Sequence, residues 1–201
     1  MAAKKRRTYH HGNLRDALVS AATQLITEHG TDELSMRELA RRVGVDHRAA
    51  YFHFADRSAL LTEVAEQGFT ALIADIEREL AKATDTLARF LAFARAYIDF
   101  ALAQPGRYRV MMSPRPGIVT AIREHDAADR ALDILSTEVR AGIARGELAD
   151  VDPLLVAIQV WSQLHGIADL LVNRRLYVRP PSIVAYTQQI IELALRGTLR
   201  R

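Results

Sequence analysis

The sequence predicts an all-α protein in which an N-terminal three-helix unit with a helix-turn-helix precedes a larger helical domain. Apolar residues recur at helical spacing in nearly every segment, and no segment alternates as a half-buried strand would. Aromatic residues make up only 6% of the 201 residues, whereas alanine, leucine and arginine are abundant, a composition that favours helices. A hydrophobic fraction of 49% is enough for an apolar core.

The first helix is predicted from a stripe of apolar residues spaced by three or four positions. We expect Asn13 to cap its beginning and Gly30 to end it, because these residue types are favoured at the two ends. The stripe comprises Leu14, Leu18, Ala21, Ala22, Leu25 and Ile26.

Three further helices are predicted to follow at short intervals. Ser35 and Glu38 have the spacing of a capping box at the start of the second helix, and Gly44 turns the chain behind it. Asp46 is expected to cap a third helix and Asp56 a fourth. The third helix should reach about Phe54 and the fourth about Leu80, with Ala50 and Phe54 packing inward.

The remainder of the chain is predicted to be a second all-helical unit. Proline and glycine separate its segments, and Pro153 stands where the first residue of a helix tolerates proline. The helices that we expect here are Thr84 or Asp85 to Ala103, a short piece from Tyr108 to Met112, Ile118 to about Arg145, Pro153 to about Arg174, and Ser182 to Arg196.

The excess positive charge is confined to the first quarter of the chain. Up to Arg57 there are ten Lys and Arg against seven Asp and Glu, and from Ser58 onward there are seventeen of each, so the net +3 lies in the first part. A polyanion such as DNA would be attracted there through release of its counterions. A basic tail that only aids solubility is the alternative explanation for Lys4, Lys5, Arg6 and Arg7.

Several classes of protein are disfavoured. The chain has no cysteine, which excludes disulfides and fits a reducing cytosol. The basic start has no apolar stretch behind it, and no segment approaches about 18 apolar residues, so we expect a cytoplasmic protein without a signal or membrane span. No nucleophile motif or phosphate-binding loop occurs, and His10-His11 lacks carboxylate support. We therefore expect no enzyme activity, no cofactor and no metal site.

The second and third helices have the arrangement of a helix-turn-helix, in which the second of the pair enters the major groove. Arg48 can form two hydrogen bonds with guanine, and Ala49 can contact a thymine methyl group. Tyr51 and His53 can hold phosphates. Each residue also has an ordinary explanation, as a core aromatic or a solvated side chain. The candidate DNA contacts are Arg37, His47, Arg48, Ala49, Tyr51, His53 and Arg57.

Residues 9–69 resemble the N-terminal domain of TetR/AcrR regulators. That family's GVS-x-x-x-x-Y-x-H-F-x-(D/N)-(K/R)-x-x-L stretch is nearly spelled out from Gly44 to Leu60. Asp46 replaces the usual serine and brings a negative charge near phosphates, while Arg57 replaces the common lysine. The resemblance implies a DNA-binding domain followed by a long fourth helix and a regulatory domain, in a homodimer that binds a palindromic operator.

The C-terminal part resembles a subgroup of the same family that carries a Trp-x-x-x-His-Gly motif, here Trp161 to Gly166. Trp161 and His165 are four residues apart, so they share one face of a helix. Aromatic and methionine side chains could form a pocket for a small molecule, although such residues are also common in cores. The candidate ligand residues are Tyr97, Phe100, Tyr108, Met111, Trp161 and His165.

These observations predict a transcriptional repressor that a small-molecule effector releases from its operator. The domain boundaries that we expect are a basic arm without fixed structure at 1–8, the helix-turn-helix domain at 9–56, a connecting helix at 57–80, and a ligand-binding and dimerisation domain at 81–201. The last two helices would pair with those of a second copy, or else belong to an ordinary intramolecular core. An activator, a regulator controlled by a partner, and an architectural DNA binder remain as alternatives.

Overall fold

The computed structural model describes residues 11–113, 127–176 and 182–198, with the backbone alone at 11–13 and 127–129. Within these ranges the chain is helical and has no extended strand, so the predicted all-α class is confirmed. The helices are α1 His11–His29, α2 Met36–Val43, α3 His47–His53, α4 Arg57–Leu80, α5 Thr86–Ala103, α6 Pro105–Met111, α7 Ala127–Ala144, α8 Pro153–Val172 and α9 Ile183–Leu195.

Helices α1 to α3 form a small bundle around the predicted apolar stripe, all six members of which are buried. Gly30 and Gly44 both have positive φ, as the ends of α1 and α2 require. The carboxylate of Asp46 accepts the backbone N–H of Arg48, and that of Asp56 accepts the N–H of Ala59. Both predicted aspartate caps are therefore confirmed.

Two predicted features of these helix starts are wrong. Helix α1 begins at His11, upstream of Asn13, so Asn13 does not cap it. Ser35 is the N-cap of α2, but its side chain makes no capping hydrogen bond. The expected capping box is absent because both carboxylate oxygens of Glu38 bind Arg41, one turn further along α2.

Helix α4 connects the N-terminal bundle to the rest of the chain. It is 24 residues long and buries ten of them. It packs on α1 near its beginning and on α5, α6 and α7 along its length. Arg89 of α5 donates to the carbonyl oxygen of Leu80, the last residue of α4, to that of Ala83 just beyond it, and to the carboxylate of Glu138 on α7. This charged contact holds the C-terminal end of α4.

Helix α6 packs against the N-terminal bundle as well as against α4. It begins at Pro105, three residues earlier than predicted, because proline is well suited to the first position of a helix. Gly106 lies so close to the Thr23 carbonyl of α1 that a Cβ atom would overlap it. Arg109 donates to the Val172 carbonyl at the end of α8 (3.0 Å) and reaches the last carbonyls of α1. Helix α6 thus joins three elements.

The last helices begin close to the predicted positions. Asp85, Asp152 and Ser182 each accept a backbone N–H at the beginning of α5, α8 and α9. Helix α8 ends at Val172, two residues before the predicted end. The predicted start of the preceding helix at Ile118 lies outside the described residues, as do the basic arm at 1–8 and His10; the side chain of His11 does too.

The expectation that no segment is long and apolar enough for a membrane span was wrong. Helix α8 has 20 residues with a mean hydropathy of 1.4, which meets that requirement by length and composition. Apolar helices at the core of a protein meet it too. Only a third of the helix is buried within the chain, and Leu155 remains 64% exposed. A large apolar face of α8 is therefore uncovered in a single chain.

Candidate nucleic-acid interface and candidate ligand site

Helix α3 has one buried face and one exposed face. Ala50 is fully buried and Phe54 is 3% exposed, so these two residues hold the helix against the bundle as predicted. The ring of Phe54 also receives the guanidinium of Arg15, 5.0 Å from its centroid. Arg15 in turn bonds Glu63 of α4 at 2.5 Å, and this bond lowers the pKa of Glu63. These contacts hold α1, α3 and α4 in fixed positions relative to one another.

The exposed face of α3 carries most of the candidate DNA contacts. His47 and Arg48 are exposed, Tyr51 is 49% exposed, and Ala49 and His53 are half-buried. The exposure of Tyr51 disfavours its alternative interpretation as a core aromatic. The residues on this face are spaced so that Arg48 and Tyr51 project from successive turns of the helix.

Arg48 is free to bind a partner. Its backbone N–H is held by Asp46, but within the described residues its guanidinium forms no ion pair or hydrogen bond. The Asp46 carboxylate is occupied by that N–H and lies 3.6 Å from the ring nitrogen of His47. The negative charge of Asp46 therefore interacts with groups at the beginning of α3.

Arg37 differs from the other two arginines of α2. Arg41 is bonded to Glu38, and Arg42 is bonded to Glu28 of α1. Arg37 is exposed, and it has no ion pair among the residues that the structure describes. It is thus the arginine of α2 whose charge is available to a phosphate.

Arg57 occupies a different environment from the one expected of a phosphate contact. It is half-buried, and its guanidinium donates to the carbonyl oxygen of Thr31 in the turn between α1 and α2. Its Nε is buried without a protein partner in the described structure. Arg57 therefore anchors the beginning of α4 to the N-terminal bundle, and its contact with DNA stays a prediction.

Phe52 was missed by the sequence analysis. It is 83% exposed, and its ring meets that of His53 edge to face at 5.5 Å. A large apolar side chain so exposed is a common mark of an interaction surface. Its position could have been found from the sequence, because Phe52 lies one helical turn beyond Arg48 and away from the inward-facing Ala50 and Phe54.

Four of the six candidate ligand residues form a packed cluster between α5, α6 and α8. The Tyr97 hydroxyl lies 2.9 Å from Nδ1 of His165, and the Trp161 ring lies 4.6 Å from that of His165 and 5.5 Å from that of Tyr97. The Tyr108 ring meets Tyr97 edge to face at 6.2 Å. Four of the six predicted residues are thus in contact with one another.

Met112 completes this aromatic cluster and was also missed. Its Sδ lies 3.0 Å from Nε2 of His165, so both ring nitrogens of the histidine have neighbours. Burial lowers the pKa of His165 and raises that of Tyr97. Burial likewise raises the pKa of Tyr108 to about 12. The cluster is therefore held together by neutral groups.

The other two predicted ligand residues form no hydrogen bond or ring contact with this cluster in the described part of the chain. Phe100 is 2% exposed within the core, and the Met111 sulfur packs against Gly68 of α4. A half-open cavity of about 350 Å³ lies between α4, α5 and α9, and a more open one of about 410 Å³ lies between α4, α5 and α7. None of the six residues lines either cavity.

Comparisons with known proteins agree with the two-part architecture. Residues 18–64 match the family of bacterial regulatory proteins named tetR, and residues 90–194, more than half of the chain, match a tetracyclin repressor-like C-terminal domain. A protein with unknown function from Rhodococcus sp. RHA1 has a solved structure with a TM-score of 0.79 and 33% identity, which covers 97% of this chain and 100% of that one.

Two curated relatives belong to different kinds of DNA-associated protein. The class A tetracycline repressor from transposon 1721 of Escherichia coli is 32% identical over 134 residues, which cover 66% of this chain and 57% of the repressor. The nucleoid occlusion factor SlmA of Vibrio atlanticus (strain LGP32) is 25% identical over 160 residues, 77% of this chain and 81% of that factor.

The family and the fold are those of DNA-binding regulators and not of enzymes. The finer resemblance to the Trp-x-x-x-His-Gly subgroup stays a prediction. With an N-terminal helix-turn-helix unit, an exposed recognition helix and matches to both parts of the family, the chain belongs to the TetR family of transcriptional regulators.

Proposed function

We propose that this chain acts as a homodimeric repressor that binds a palindromic operator and leaves it when a small-molecule effector binds the C-terminal part. The observation that supports it best is the exposed face of α3, where Arg48 has no partner among the described residues while Ala50 and Phe54 hold the helix from behind. A helix mounted in this way can insert its N-terminal side chains into the major groove.

The uncovered apolar faces of α8 and α9 support the dimer. TetR-family regulators are typically dimers, and apolar patches of this kind mark protein interfaces. Two copies would present two recognition helices, which must be about 34–36 Å apart for half-sites one helical turn apart. The exposed residues are Leu154, Leu155, Ile158, Leu170, Val184, Tyr186 and Leu193.

Release follows if the effector prefers a conformation in which the two recognition helices have the wrong separation. An effector that binds this conformation more tightly shifts the population away from DNA, and by linkage the operator weakens effector binding by the same factor. Helix α4 runs from the recognition helix into the C-terminal part, so its position links the two sites.

Selection of bound duplexes from a random pool tests this function. We expect one palindromic sequence that remains bound in a gel-shift assay against excess random duplex. Arg48→Ala should weaken operator binding by at least about tenfold, the contribution of one base contact. Arg41→Ala is the matched control, because Arg41 is already paired with Glu38. Equal retention of random and selected duplexes would instead indicate an architectural DNA binder.

Control by a protein partner is the second candidate, and the similarity to a nucleoid occlusion factor favours it. In that case the chain would bind its operator without responding to any small molecule. A library of small molecules screened by thermal shift and then by gel shift separates the two functions. Compounds that bind the chain and lower its operator affinity support the repressor, whereas a chain that responds only to a protein supports the second candidate.

A further inference from the structure

Arg109 of α6 lies where the C-terminal ends of two helices come together. Its terminal nitrogen Nη2 donates to the carbonyl oxygen of Val172, the last residue of α8, at 3.0 Å. The other terminal nitrogen, Nη1, lies 3.4 Å from the carbonyl oxygen of Thr27 and 3.5 Å from that of Ile26, both in the last turn of α1. One side chain therefore contacts the DNA-binding bundle and the end of a C-terminal helix.

Two of these carbonyl groups have no backbone partner of their own. The last carbonyl groups of a helix lack the N–H group that would follow four residues later in a continuing helix. No backbone N–H of a described residue bonds the carbonyl oxygen of Thr27 or Val172, whereas that of Ile26 accepts the N–H of Gly30 at 2.9 Å. Arg109 thus supplies a donor that both helix ends lack.

The positive charge of Arg109 also suits this position. Aligned peptide dipoles give the C-terminal end of a helix a partial negative charge of roughly half an electron, so two such ends repel each other at close range. A guanidinium between them attracts both. Within the structure as described, Arg109 is half-buried and forms no ion pair with a carboxylate. Its charge is therefore balanced by the two helix ends.

We propose that Arg109 is a positioning residue for DNA binding, because it fixes the orientation of the N-terminal bundle relative to α8. Its two terminal nitrogens bond different helices, so a rotation of the bundle would break one of the contacts. Helix α8 packs mainly on α5, α7 and α9, and Arg109 bonds its end directly to α1.

The orientation has a consequence if the chain is the homodimer proposed above. Helix α8 would then form part of the dimer interface, so Arg109 would set the angle at which each recognition helix meets its half-site. This consequence rests on the proposed function, whereas the orientation within one chain does not.

The distance between two spin labels in one chain tests the orientation. The chain has no cysteine, so Ser20→Cys on α1 and Thr137→Cys on α7, both at exposed positions, can be labelled specifically. Labelled chains are mixed with an excess of unlabelled chains, so that a dimer contributes only distances within one chain. Double electron–electron resonance should give one narrow distance distribution. Arg109→Met, which removes the charge and the donors, should broaden it and shift its mean.

Arg109→Lys and Arg107→Met are the comparison variants. Lysine keeps the charge between the helix ends but has one nitrogen instead of a fork, so Arg109→Lys should broaden the distribution less than Arg109→Met. Arg107 lies on the same helix and bonds Gln104 at 2.6 Å, without a bond to α1 or α8 among the described residues. Arg107→Met should therefore leave the distances unchanged. Thermal melts show which variants fold, and Arg109→Lys decides the proposal if Arg109→Met does not fold.

The consequence for DNA is measured with the selected operator and with duplexes that have one or two base pairs added between its half-sites. Each added base pair rotates one half-site relative to the other, so the unchanged chain should prefer the original spacing at least about tenfold. Arg109→Met should reduce this preference to about threefold or less, with the affinity for an isolated half-site unchanged. A role in stability alone would lower the melting temperature but leave the label distances and the spacing preference unchanged.

The outcomes separate the orientation from its consequence. Unchanged label distances in the folded Arg109 variants would overturn the proposal, as would equal broadening in Arg107→Met. A broadened distribution with an unchanged spacing preference would retain the orientation within the chain and overturn its role in DNA binding. If no operator is selected, or if the chain is a monomer, the proposed function fails and the label distances still decide the orientation.

Discussion

Single side chains on α3 divide into those that hold the helix and those that are free to contact DNA. Ala50 and Phe54 hold it from inside, and Arg15 and Glu63 fix Phe54 from α1 and α4. On the other side Arg48 and Phe52 point away from the protein core. Changes on the second side should alter DNA binding without altering the fold.

Phe52→Ala is expected to weaken operator binding about three- to tenfold while leaving the melting temperature within about 1 °C. The side chain is 83% exposed, so its removal opens no cavity in the core. Apolar contact with a thymine methyl or the groove wall would be lost. Gel-shift titration and thermal melts measure the two effects. A large drop in melting temperature would contradict the assignment of Phe52 to the interface.

His165 should make the stability of the chain depend on pH. Burial lowers its pKa in the folded state, so between that lowered pKa and its ordinary value of about 6.5 the unfolded chain binds a proton that the folded chain does not. This contribution is fully present above about pH 6.5 and is lost as the pH falls toward the lowered pKa.

His165→Gln should therefore show a smaller fall in melting temperature between pH 7.5 and pH 5.5 than the unchanged chain. The carboxylates with lowered pKa, such as Glu63, stay ionised throughout this range and do not interfere. Melts at the two pH values are compared with those of His53→Gln, whose side chain lies on α3 outside the aromatic cluster. An identical pH dependence in His165→Gln and the unchanged chain would contradict a buried neutral histidine.

At the scale of elements, α6 is a second connection, beside α4, between the DNA-binding bundle and the C-terminal helices. Gly106 lets it approach α1 closely, Met111 packs on α4, and Arg109 bonds the last carbonyl of α8. Helix α6 therefore contacts α1 and α4 as well as the end of α8. The close approach is possible only because position 106 has no Cβ atom.

Gly106→Ala is expected to destabilise the chain by about 2 kcal/mol, since its methyl group would overlap the backbone of Thr23 and the side chain of Thr27. Gly166→Ala on α8 is the matched control, because a Cβ there meets nothing within 4 Å and alanine favours a helix. Urea unfolding measures both changes. A loss of stability in Gly166→Ala would point to a contact that a second copy makes.

In the molecule as a whole, α8 and α9 carry an apolar surface that the other described helices of the chain do not cover. Leu155 and Leu193 are 64% and 62% exposed. Burying such side chains between two copies would contribute about 2 kcal/mol for each. In the dimer that we propose, the interface would set the distance between the two copies of α3, so it would also set the spacing of the two recognition helices.

Leu155→Glu should shift the chain toward the monomer, because an unpaired carboxylate would have to be buried in the interface. Operator binding should weaken strongly, since two half-sites can no longer be held at once. Light scattering reports the mass, and gel shift reports the affinity. Leu102→Glu, which places the same carboxylate at an exposed leucine of α5, serves as the control. A dimer of unchanged stability in Leu155→Glu would contradict this interface.

Much of the fold follows from short stretches of the sequence. Three kinds of feature depend on interactions within one turn of the chain. They are the aspartate caps, the prolines at the first positions of α6 and α8, and the glycines with positive φ. The buried face of α3 also follows from the local sequence. Ala50 and Phe54 are four residues apart and share one side of the helix, whereas Arg48 falls on the other side. The family motif then indicates DNA as the partner.

Other features depend on residues that are far apart in the sequence, so they arise only when the helices pack together. Arg42 is bonded to Glu28 of α1, which lies fourteen residues earlier in the chain. Arg57 has no evident partner in the sequence, but in the structure its guanidinium donates to the carbonyl oxygen of Thr31, which lies 26 residues earlier. The aromatic residues around Tyr97 pack on one another. The cavity beside Thr187 exists because the side chains of α4, α5 and α9 do not pack closely there. Periodicity identifies which face of a helix is apolar, but only three-dimensional packing determines what that face meets.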